Sequence, residues 1–267
     1  MPTPPASPLP FHYAERLPAP ELRTWVGCYW GFGCRPGGAA PTLHHVPPDG
    51  CTSLAVLPGS GGGPQVVLTG PWVEALTVPV MPGAWYWGLR FQPYGAAAAL
   101  GIAPARLRDR SQPAAPLLGA ICTELLALDQ PAQDLDALVP AIDRILLGWV
   151  GFWARPDPLV RAAVTAIRAT EGEVAIARLA GELGCSPRTL RRRFRSATGQ
   201  SPKEFARIER LLRAARALLP GTTPGWATLA AASGYADQSH LVHEFRDLTG
   251  LTPEAFLERM RGTTHDL

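Results

Sequence analysis

The spacing of apolar positions changes along this chain. Between Leu22 and Pro93, short apolar and aromatic segments are interrupted by glycine and proline, a pattern typical of a small sheet or barrel. We expect strands at residues 25–32, 52–57, 65–69, 75–80 and 84–91. The glycine-rich stretch 59–63 is most simply the connection of a hairpin.

After Pro93 the chain becomes rich in alanine and leucine, and its apolar spacing predicts helices at residues 95–101, 116–128 and 133–153. The last of these has one broad apolar face, formed by Leu135, Leu138, Val139, Ile142, Ile145, Leu146 and Trp149. We expect this face to pack on the sheet of its own domain, and the alternative is a dimer helix. Pro156 and Pro158 then interrupt the helical pattern, so we place the boundary between two domains after residue 156.

A repeat dominates the remaining residues, 157–267. The segment Phe194–Phe205 returns 51 residues later as Phe245–Phe256, with six of twelve positions identical. Each copy predicts a helix, a turn with glycine and a second helix, followed by Thr-Gly-x-Ser/Thr-Pro, which is the outline of a helix-turn-helix. We place the units at about residues 174–199 and 226–250, joined by a linker helix over residues 202–219.

The second helix of the first unit carries the candidate chemistry. Ser186 suits the N-cap and Pro187 the first helical position. Leu190 and Phe194 lie one turn apart and face inward, which leaves four arginines on the other sides of the helix: Arg188, Arg191, Arg192 and Arg195. A helix fits the major groove of DNA, where arginine can bind guanine O6 and N7 or the phosphates.

Charge is distributed unevenly over the 267 residues. Residues 1–156 hold 9 arginines against 10 acidic residues, whereas residues 157–267 hold 16 basic residues against 12 acidic ones. Because 24 of the 25 basic residues are arginine, the composition alone does not establish selection for arginine chemistry. The five cysteines form no C-x-x-C pair and no signal peptide or bilayer-spanning stretch is evident, so we expect a cytoplasmic protein without membrane contact.

Residues 157–260 resemble the DNA-binding domain of AraC/XylS-type transcriptional regulators, in which one chain carries two helix-turn-helix units joined by a long helix. The most specific stretch is Ala230–Arg246, followed by Thr249–Pro253. The resemblance implies that Arg188, Arg191 and Arg192 read bases in the first unit. Arg195 and Arg246 lie one turn further along their helices, and we expect them to bind phosphate. In the second unit the corresponding base-reading positions are Gln238, Ser239, His240 and His243. Double-stranded DNA and RNA polymerase are the implied partners, and activation is the commoner outcome in the family.

The first half resembles an uncharacterised N-terminal domain that is fused to such regulators. The resemblance rests on Pro47–Cys51 and on Gly88–Pro93, the latter followed by a Gly-Ala helix. It implies a domain that senses a small molecule, forms a homodimer, or both.

Aromatic side chains on the predicted strands could line an effector pocket. The candidate residues for this pocket are Trp85, Trp87, Arg90, His44 and His45. The alternative is core packing, with Arg90 paired to Asp49 or Glu74.

No recognised spacing supports a metal site at His44, His45 and Cys51, and we expect no cofactor. The chain also lacks a serine nucleophile elbow, an H-E-x-x-H motif and a phosphate-binding glycine loop, so we do not expect an enzyme. We therefore expect an α+β protein, with a small sheet or barrel and helices in residues 1–156 and an all-α domain in residues 157–267, that regulates transcription. The alternative is an enzyme or adaptor that the basic C-terminal module tethers to nucleic acid.

Overall fold

The computed structural model describes residues 11–35, 40–59, 63–128, 134–218, 225–260 and 263–266. Its strands are β1 Phe11–Arg16, β2 Val26–Cys34, β3 Thr42–Val46, β4 Ser53–Leu57, β5 Gln65–Thr69, β6 Leu76–Val80, β7 Trp85–Phe91, β8 Ser111–Pro113 and β9 Thr263–Asp266. Its helices are α1 Gly95–Leu100, α2 Ala115–Leu126, α3 Leu135–Trp149, α4 Pro158–Ala169, α5 Ile176–Glu182, α6 Pro187–Thr198, α7 Pro202–Leu218, α8 Trp226–Ala232, α9 Gln238–Thr249 and α10 Pro253–Met260. The predicted α+β class is confirmed.

Seven strands form one sheet in the order β8-β5-β4-β7-β2-β1-β9. Neighbouring strands are antiparallel except β1 and β9, which are parallel. Strands β3 and β6 form a separate antiparallel pair. The consecutive strands β4 and β5 are antiparallel, as a hairpin connection at residues 59–63 requires, although residues 60–62 lie outside the described ranges.

Helices α2 and α3 cover one face of the large sheet. Helix α3 begins where the Asp134 side chain accepts a hydrogen bond of 2.9 Å from the backbone N–H of Asp136. Its buried side chains join the same core as Trp87 and Leu89 of β7, and they are Leu135, Leu138, Ile142 and Leu146. The prediction that this helix packs on the sheet of its own domain is therefore confirmed.

The helical half begins at the interruption that the sequence predicted. Asp157 accepts a hydrogen bond of 2.9 Å from the backbone N–H of Leu159, and Pro158 occupies the first position of α4. The helices then form two cores, one around Phe194 and Phe205 and one around Phe245 and Phe256. Helix α7 contributes to both cores and is the predicted linker helix, whose last predicted residue, 219, lies outside the described ranges.

The two halves of the chain contact each other at several points. Tyr94, which precedes α1, is buried in the core of the first helix-turn-helix unit. The backbone N–H of Ala75 donates a hydrogen bond of 2.8 Å to the carbonyl of Leu248 in α9. The chain also returns to the first half at its end, because β9 follows α10 and pairs with β1. Among the described helices, none has the length and apolar character needed to cross a bilayer.

Candidate DNA interface

Buried aromatic side chains hold the first candidate recognition helix, α6, in place. Leu190 and Phe194 are fully buried, and the ring centroids of Phe194 and Phe205 are 5.8 Å apart. The helix begins as predicted, because the Ser186 hydroxyl accepts a hydrogen bond of 3.1 Å from the N–H of Thr189. Pro187 follows at the first helical position. The two anchors thus fix which sides of α6 remain in solvent.

The second unit repeats this construction around α9. Phe245 packs on Phe256 with ring centroids 5.5 Å apart, and Asp237 caps the helix by accepting a hydrogen bond of 2.8 Å from the N–H of His240. Leu241 is fully buried, as Leu190 is in the first unit.

The Thr-Gly pair that both copies share ends each recognition helix in the same way. The hydroxyls of Thr198 and Thr249 donate to the carbonyls of Phe194 and Phe245, at 2.9 and 2.6 Å. The glycine that follows has a φ of +79° at residue 199 and +72° at residue 250, a left-handed conformation that favours glycine. The shared residues of the repeat therefore build the scaffold.

Four arginine side chains project from the solvent-facing sides of α6. They are exposed and form no hydrogen bond or ion pair with any other described residue, and they are Arg188, Arg191, Arg192 and Arg195. Arg193 differs, because it forms an ion pair with Asp157, with nitrogen–oxygen distances of 2.6 and 2.7 Å. The structure thus leaves the four predicted arginines available for a partner and uses the fifth to fix α6 against the start of α4.

The corresponding surface of α9 has a different chemistry. Gln238, Ser239, His243 and Arg246 are exposed. His240 is only half-exposed: its Nδ1 accepts a hydrogen bond of 3.3 Å from the N–H of Ala236, and its ring lies edge-on to Tyr235 at 5.3 Å. His240 therefore supports the turn before α9, whereas the other four side chains point to solvent.

The net charges of the two units have opposite signs. Residues 174–199 contain six arginines and one glutamate, a net charge of +5. Residues 226–250 contain one arginine and three acidic residues, a net charge of −2 with neutral histidines. His243 also lies near an acid, with its Nε2 3.6 Å from a carboxylate oxygen of Asp247. A polyanion is therefore attracted far more strongly to the first unit than to the second.

Arginines of the linker helix α7 bind other parts of the chain. Arg207 donates hydrogen bonds of 2.9 Å to Glu244 and 3.0 Å to Asp247. Burial alone would lower the pKa of Arg207, but these bonds outweigh it and raise the pKa. On the other side, Arg213 forms ion pairs with Glu171 and Glu173. The linker helix is thereby tied to the second unit and to the turn that follows α4, a role that the sequence did not predict.

The five candidate effector residues lie in separate places. Trp85 and Trp87 are buried in the core beneath α2 and α3. Arg90 extends from the opposite face of β7, where it pairs with Asp49 and with Glu15, each at 2.7 Å. The pairing with Asp49 agrees with the core-packing interpretation, and Glu15 rather than Glu74 is the other carboxylate.

The two histidines of β3 have aromatic neighbours. His44 lies against Phe32, with ring centroids 4.3 Å apart. His45 is buried, bonds Thr77 at 3.1 Å and lies edge-on to Phe256 of α10. Within the described ranges, no group of three or more His, Cys, Asp or Glu side chains is placed to hold a metal ion.

Two protein families match this chain. Residues 179–259 match a family described as a helix-turn-helix domain. Residues 14–113 match a family described as a domain of unknown function, DUF6597. The two matches fall on the two halves that differ in their apolar pattern.

Curated relatives match about half of this chain. A Streptomyces antibioticus protein described as an AraC-like transcription regulator is 30% identical over 139 residues, which is 52% of this chain and 45% of that protein. A Streptomyces lividans protein of the same description gives the same identity and coverage. The match thus spans less than half of each relative's length.

Among solved structures, the DNA-binding domain of AdpA, a global transcriptional factor in complex with a target DNA, is 30% identical. It covers 39% of this chain and 94% of that chain, with a TM-score of 0.35. An AraC family regulator from Rhodopseudomonas palustris CGA009 is also 30% identical, covering 39% of this chain and 97% of that chain with a TM-score of 0.35. From the family matches and the curated relatives, we conclude that this chain combines a DUF6597 domain with a helix-turn-helix domain of the AraC type.

Proposed function

We propose that this chain is a sequence-specific DNA-binding regulator of transcription, and that its first helix-turn-helix unit supplies most of the affinity for DNA. The observation that carries the proposal is the exposed set of arginines on α6, which have no partner among the described residues. Exposed guanidinium groups on a helix held by two buried anchors can enter a major groove without rearrangement of the core. The net charge of +5 in this unit supports the same assignment.

The arginines of α6 are proposed to have two roles. Arg188, Arg191 and Arg192 lie in the first half of the helix, the part that contacts base edges in helix-turn-helix proteins. Arg195 lies about 10 Å further along the axis than Arg188, at about 1.5 Å per residue, and would bind phosphate. Base contacts discriminate between sequences, whereas phosphate contacts add affinity for every sequence.

The second unit is proposed to contribute selectivity with little phosphate binding. Gln238 can bond adenine at N6 and N7, and Ser239 can bond several bases. His243 has a shorter side chain than an arginine and lies near Asp247. Arg246 is the residue of the second unit that we expect to bind phosphate. His240, which is half-buried, is the weakest candidate among these residues.

Single substitutions on α6 test these roles. We expect Arg192→Ala to cost about 1–3 kcal/mol of binding free energy at one operator and to relax the preference at one base position. We expect Arg195→Ala to weaken binding to all sequences alike and to reduce the slope of log K against log salt by about one. Fluorescence anisotropy with an operator selected from a random library, and with its single-base variants, measures both effects.

The matched control is Arg144→Ala, which removes one exposed arginine from α3 in the first half of the chain. It should leave affinity and selectivity near wild type. Equal loss of selectivity in Arg192→Ala and Arg195→Ala would show that the two roles are assigned wrongly.

We also propose the division into a sensing or dimerisation domain, residues 1–156, and a DNA-binding domain, residues 157–267. A small-molecule effector, a second copy of the chain and RNA polymerase are the further partners of this cytoplasmic regulator. The exposed side chains of Leu147 and Phe152, the latter 82% exposed, support a contact near the end of α3.

A further inference from the structure

A run of arginines in the first half of the chain lies beside the first recognition helix. Residues 104–110, which we call the arginine segment, have the sequence Pro-Ala-Arg-Leu-Arg-Asp-Arg. They hold three of the nine arginines in residues 1–156 and one aspartate, a net charge of +2 in a half whose net charge is −1. The positive charge of the first half is therefore concentrated at this segment.

The arginine segment packs on the end of α6. Its first turn, Pro104–Arg106, lies against α6. Gly199, the residue that follows α6, is buried there, because a Cβ at this position would approach the backbone of Pro104 and Ala105 to 2.9 and 3.0 Å. The segment therefore covers the C-terminal end of the recognition helix.

This end of α6 continues the line of exposed arginines. Residues 188, 192, 195 and 199 follow one another at spacings of four, three and four, which places them on one face of a helix. The first three are exposed arginines, and the fourth is the glycine that the arginine segment covers. The segment therefore begins where the line of arginines on α6 ends.

The middle arginine of the segment holds it in place. Nη2 of Arg108 lies 2.8 Å from Oε1 of Glu204 in the first turn of α7, and its Nε lies 3.3 Å from Asp109. Burial alone would raise the pKa of Glu204, but hydrogen bonds from Arg108 and from the N–H of Ser201 outweigh it and lower the pKa to about 2. Glu204 is therefore ionised at physiological pH, and the segment remains attached at the start of α7.

The last residue of the segment lies near the same end of α6. The carbonyl of Arg110 accepts a hydrogen bond of 2.9 Å from the N–H of Gly70. Pro71, the next residue, has its Cγ 2.9 Å from the position that a Cβ of Gly199 would take. Both ends of the segment are thus close to the residue that follows α6.

The two outer arginines of the segment differ from Arg108. Arg106 and Arg110 are exposed, and their side chains form no hydrogen bond or ion pair with any residue in the described ranges. Arg195, in the last turn of α6, is also exposed and without such a partner. Like charges that share one surface repel each other, and a bound polyanion relieves this repulsion. The segment and α6 therefore form one basic surface.

The length of α6 indicates which part of DNA the segment would meet. Gly199 lies 11 residues after Arg188, or about 16 Å along the axis at about 1.5 Å per residue. The major groove is about 12 Å wide and about 8.5 Å deep. Because the first half of a recognition helix contacts the base edges, groups about 16 Å away lie outside the groove, at the level of the phosphates.

We propose that the arginine segment of the DUF6597 domain is part of the DNA interface, where Arg106 and Arg110 bind phosphates beside the groove that α6 enters. The proposal rests on the function proposed above, because it extends the same surface. It gives the DUF6597 domain a direct share in DNA affinity, and it gives Arg108 the role of holding the segment against the helical half. Since every sequence has the same phosphates, the segment adds affinity without selectivity.

Arg106→Ala combined with Arg110→Ala in the full chain tests the proposal. We expect the slope of log K against log salt to fall by about two. Affinity for the operator and for scrambled DNA should fall alike, by about tenfold or more at about 0.1 M salt. Fluorescence anisotropy measures both effects. The matched control, Arg35→Ala combined with Arg144→Ala, removes two exposed arginines from other parts of the first half and should leave slope and affinity near wild type.

Two results of this titration would overturn the proposal. One is a salt slope in the Arg106/Arg110 variant that equals that of the wild type. The other is a loss of affinity confined to the operator, since phosphate contacts do not discriminate between sequences. Thermal unfolding should show wild-type stability for both double variants, because all four side chains are exposed.

Ethylation interference on the operator locates the contacts. For the wild type, we expect ethylation of one or two phosphates next to the half-site of the first unit to weaken binding. The same ethylations should have no effect on the Arg106/Arg110 variant. Identical interference patterns for the two proteins would contradict the proposal.

The comparison of operator with scrambled DNA separates this proposal from the proposed function. If the wild type selects its operator and the Arg106/Arg110 variant keeps the wild-type salt slope, the regulator remains supported and the segment proposal fails. If the wild type binds both DNAs equally but the variant lowers the slope by about two, the segment binds phosphates and sequence-specific regulation fails.

Discussion

Replacing Arg188, Arg191 and Arg192 together by alanine is expected to remove the preference of the protein for its operator. Each base-reading arginine contributes about 1–3 kcal/mol, so the triple variant should bind the operator about a hundredfold or more weakly. The fold should persist, because the three side chains are exposed and form no hydrogen bond or ion pair with any other described residue, and because alanine favours the helix. Anisotropy titration measures the affinity, and circular dichroism confirms that α6 remains helical.

The matched control changes three exposed residues of α9 for which base contacts are proposed, with Gln238→Ala, Ser239→Ala and His243→Ala combined. Because these side chains are shorter than arginine, and this unit has a net charge of −2 when histidines are counted as neutral, we expect a smaller loss of affinity. A larger loss in this variant than in the arginine variant would assign the dominant role to the second unit instead.

Phe194→Ala should have the largest effect on stability. Phe194 is fully buried and packs on Phe205, and truncating a buried phenylalanine leaves a cavity that costs about 3–5 kcal/mol. We expect a lower midpoint of urea unfolding and loss of operator binding, because α6 loses its anchor. Phe245→Ala should have a similar cost, since Phe245 is equally buried against Phe256.

Ser196→Ala is the control for this prediction, because Ser196 is exposed on the same helix. Its unfolding midpoint should match that of the wild type. A cost below about 1 kcal/mol for Phe194→Ala would show that α6 is not held by the core that contains Phe205.

The sequence predicts the helical half well because its signals are local. The spacing of Leu190 and Phe194, the cap at Ser186 and the Thr-Gly pair each act within a few residues, and the structure confirms the burial and the cap. Because the unit is repeated, signals of this kind occur in both copies. The same local rules predicted β2, β4, β5, β6 and β7 to within a few residues.

Contacts between distant parts of the chain have no such local signal in the sequence. Strand β9 pairs with β1 across about 250 residues, and Arg207 binds Glu244 and Asp247 of another helix. The residue type alone does not distinguish an arginine that binds its own chain, such as Arg193, from an exposed one without a bond to any described residue, such as Arg192.

The sequence alone could have shown that Trp87 and Arg90 lie on opposite faces of the sheet. Alternate residues of a strand face opposite sides, so odd and even positions of β7 cannot line one pocket. The structure follows this rule, with Trp87 in the core and Arg90 on the face that meets Glu15. The contact between Arg168 and Gln92 could not be predicted, because Arg168 reaches Gln92 from the other half of the chain.

The central claim is that this chain recognises a DNA sequence chiefly through α6. Its most direct test is the binding of the full chain to a selected operator and to scrambled DNA of the same composition, over a range of salt concentrations. We predict that the operator binds about a thousandfold more tightly at physiological salt, and that this preference disappears in the triple arginine variant. Equal affinity of the wild-type protein for both DNAs at every salt concentration would contradict the claim.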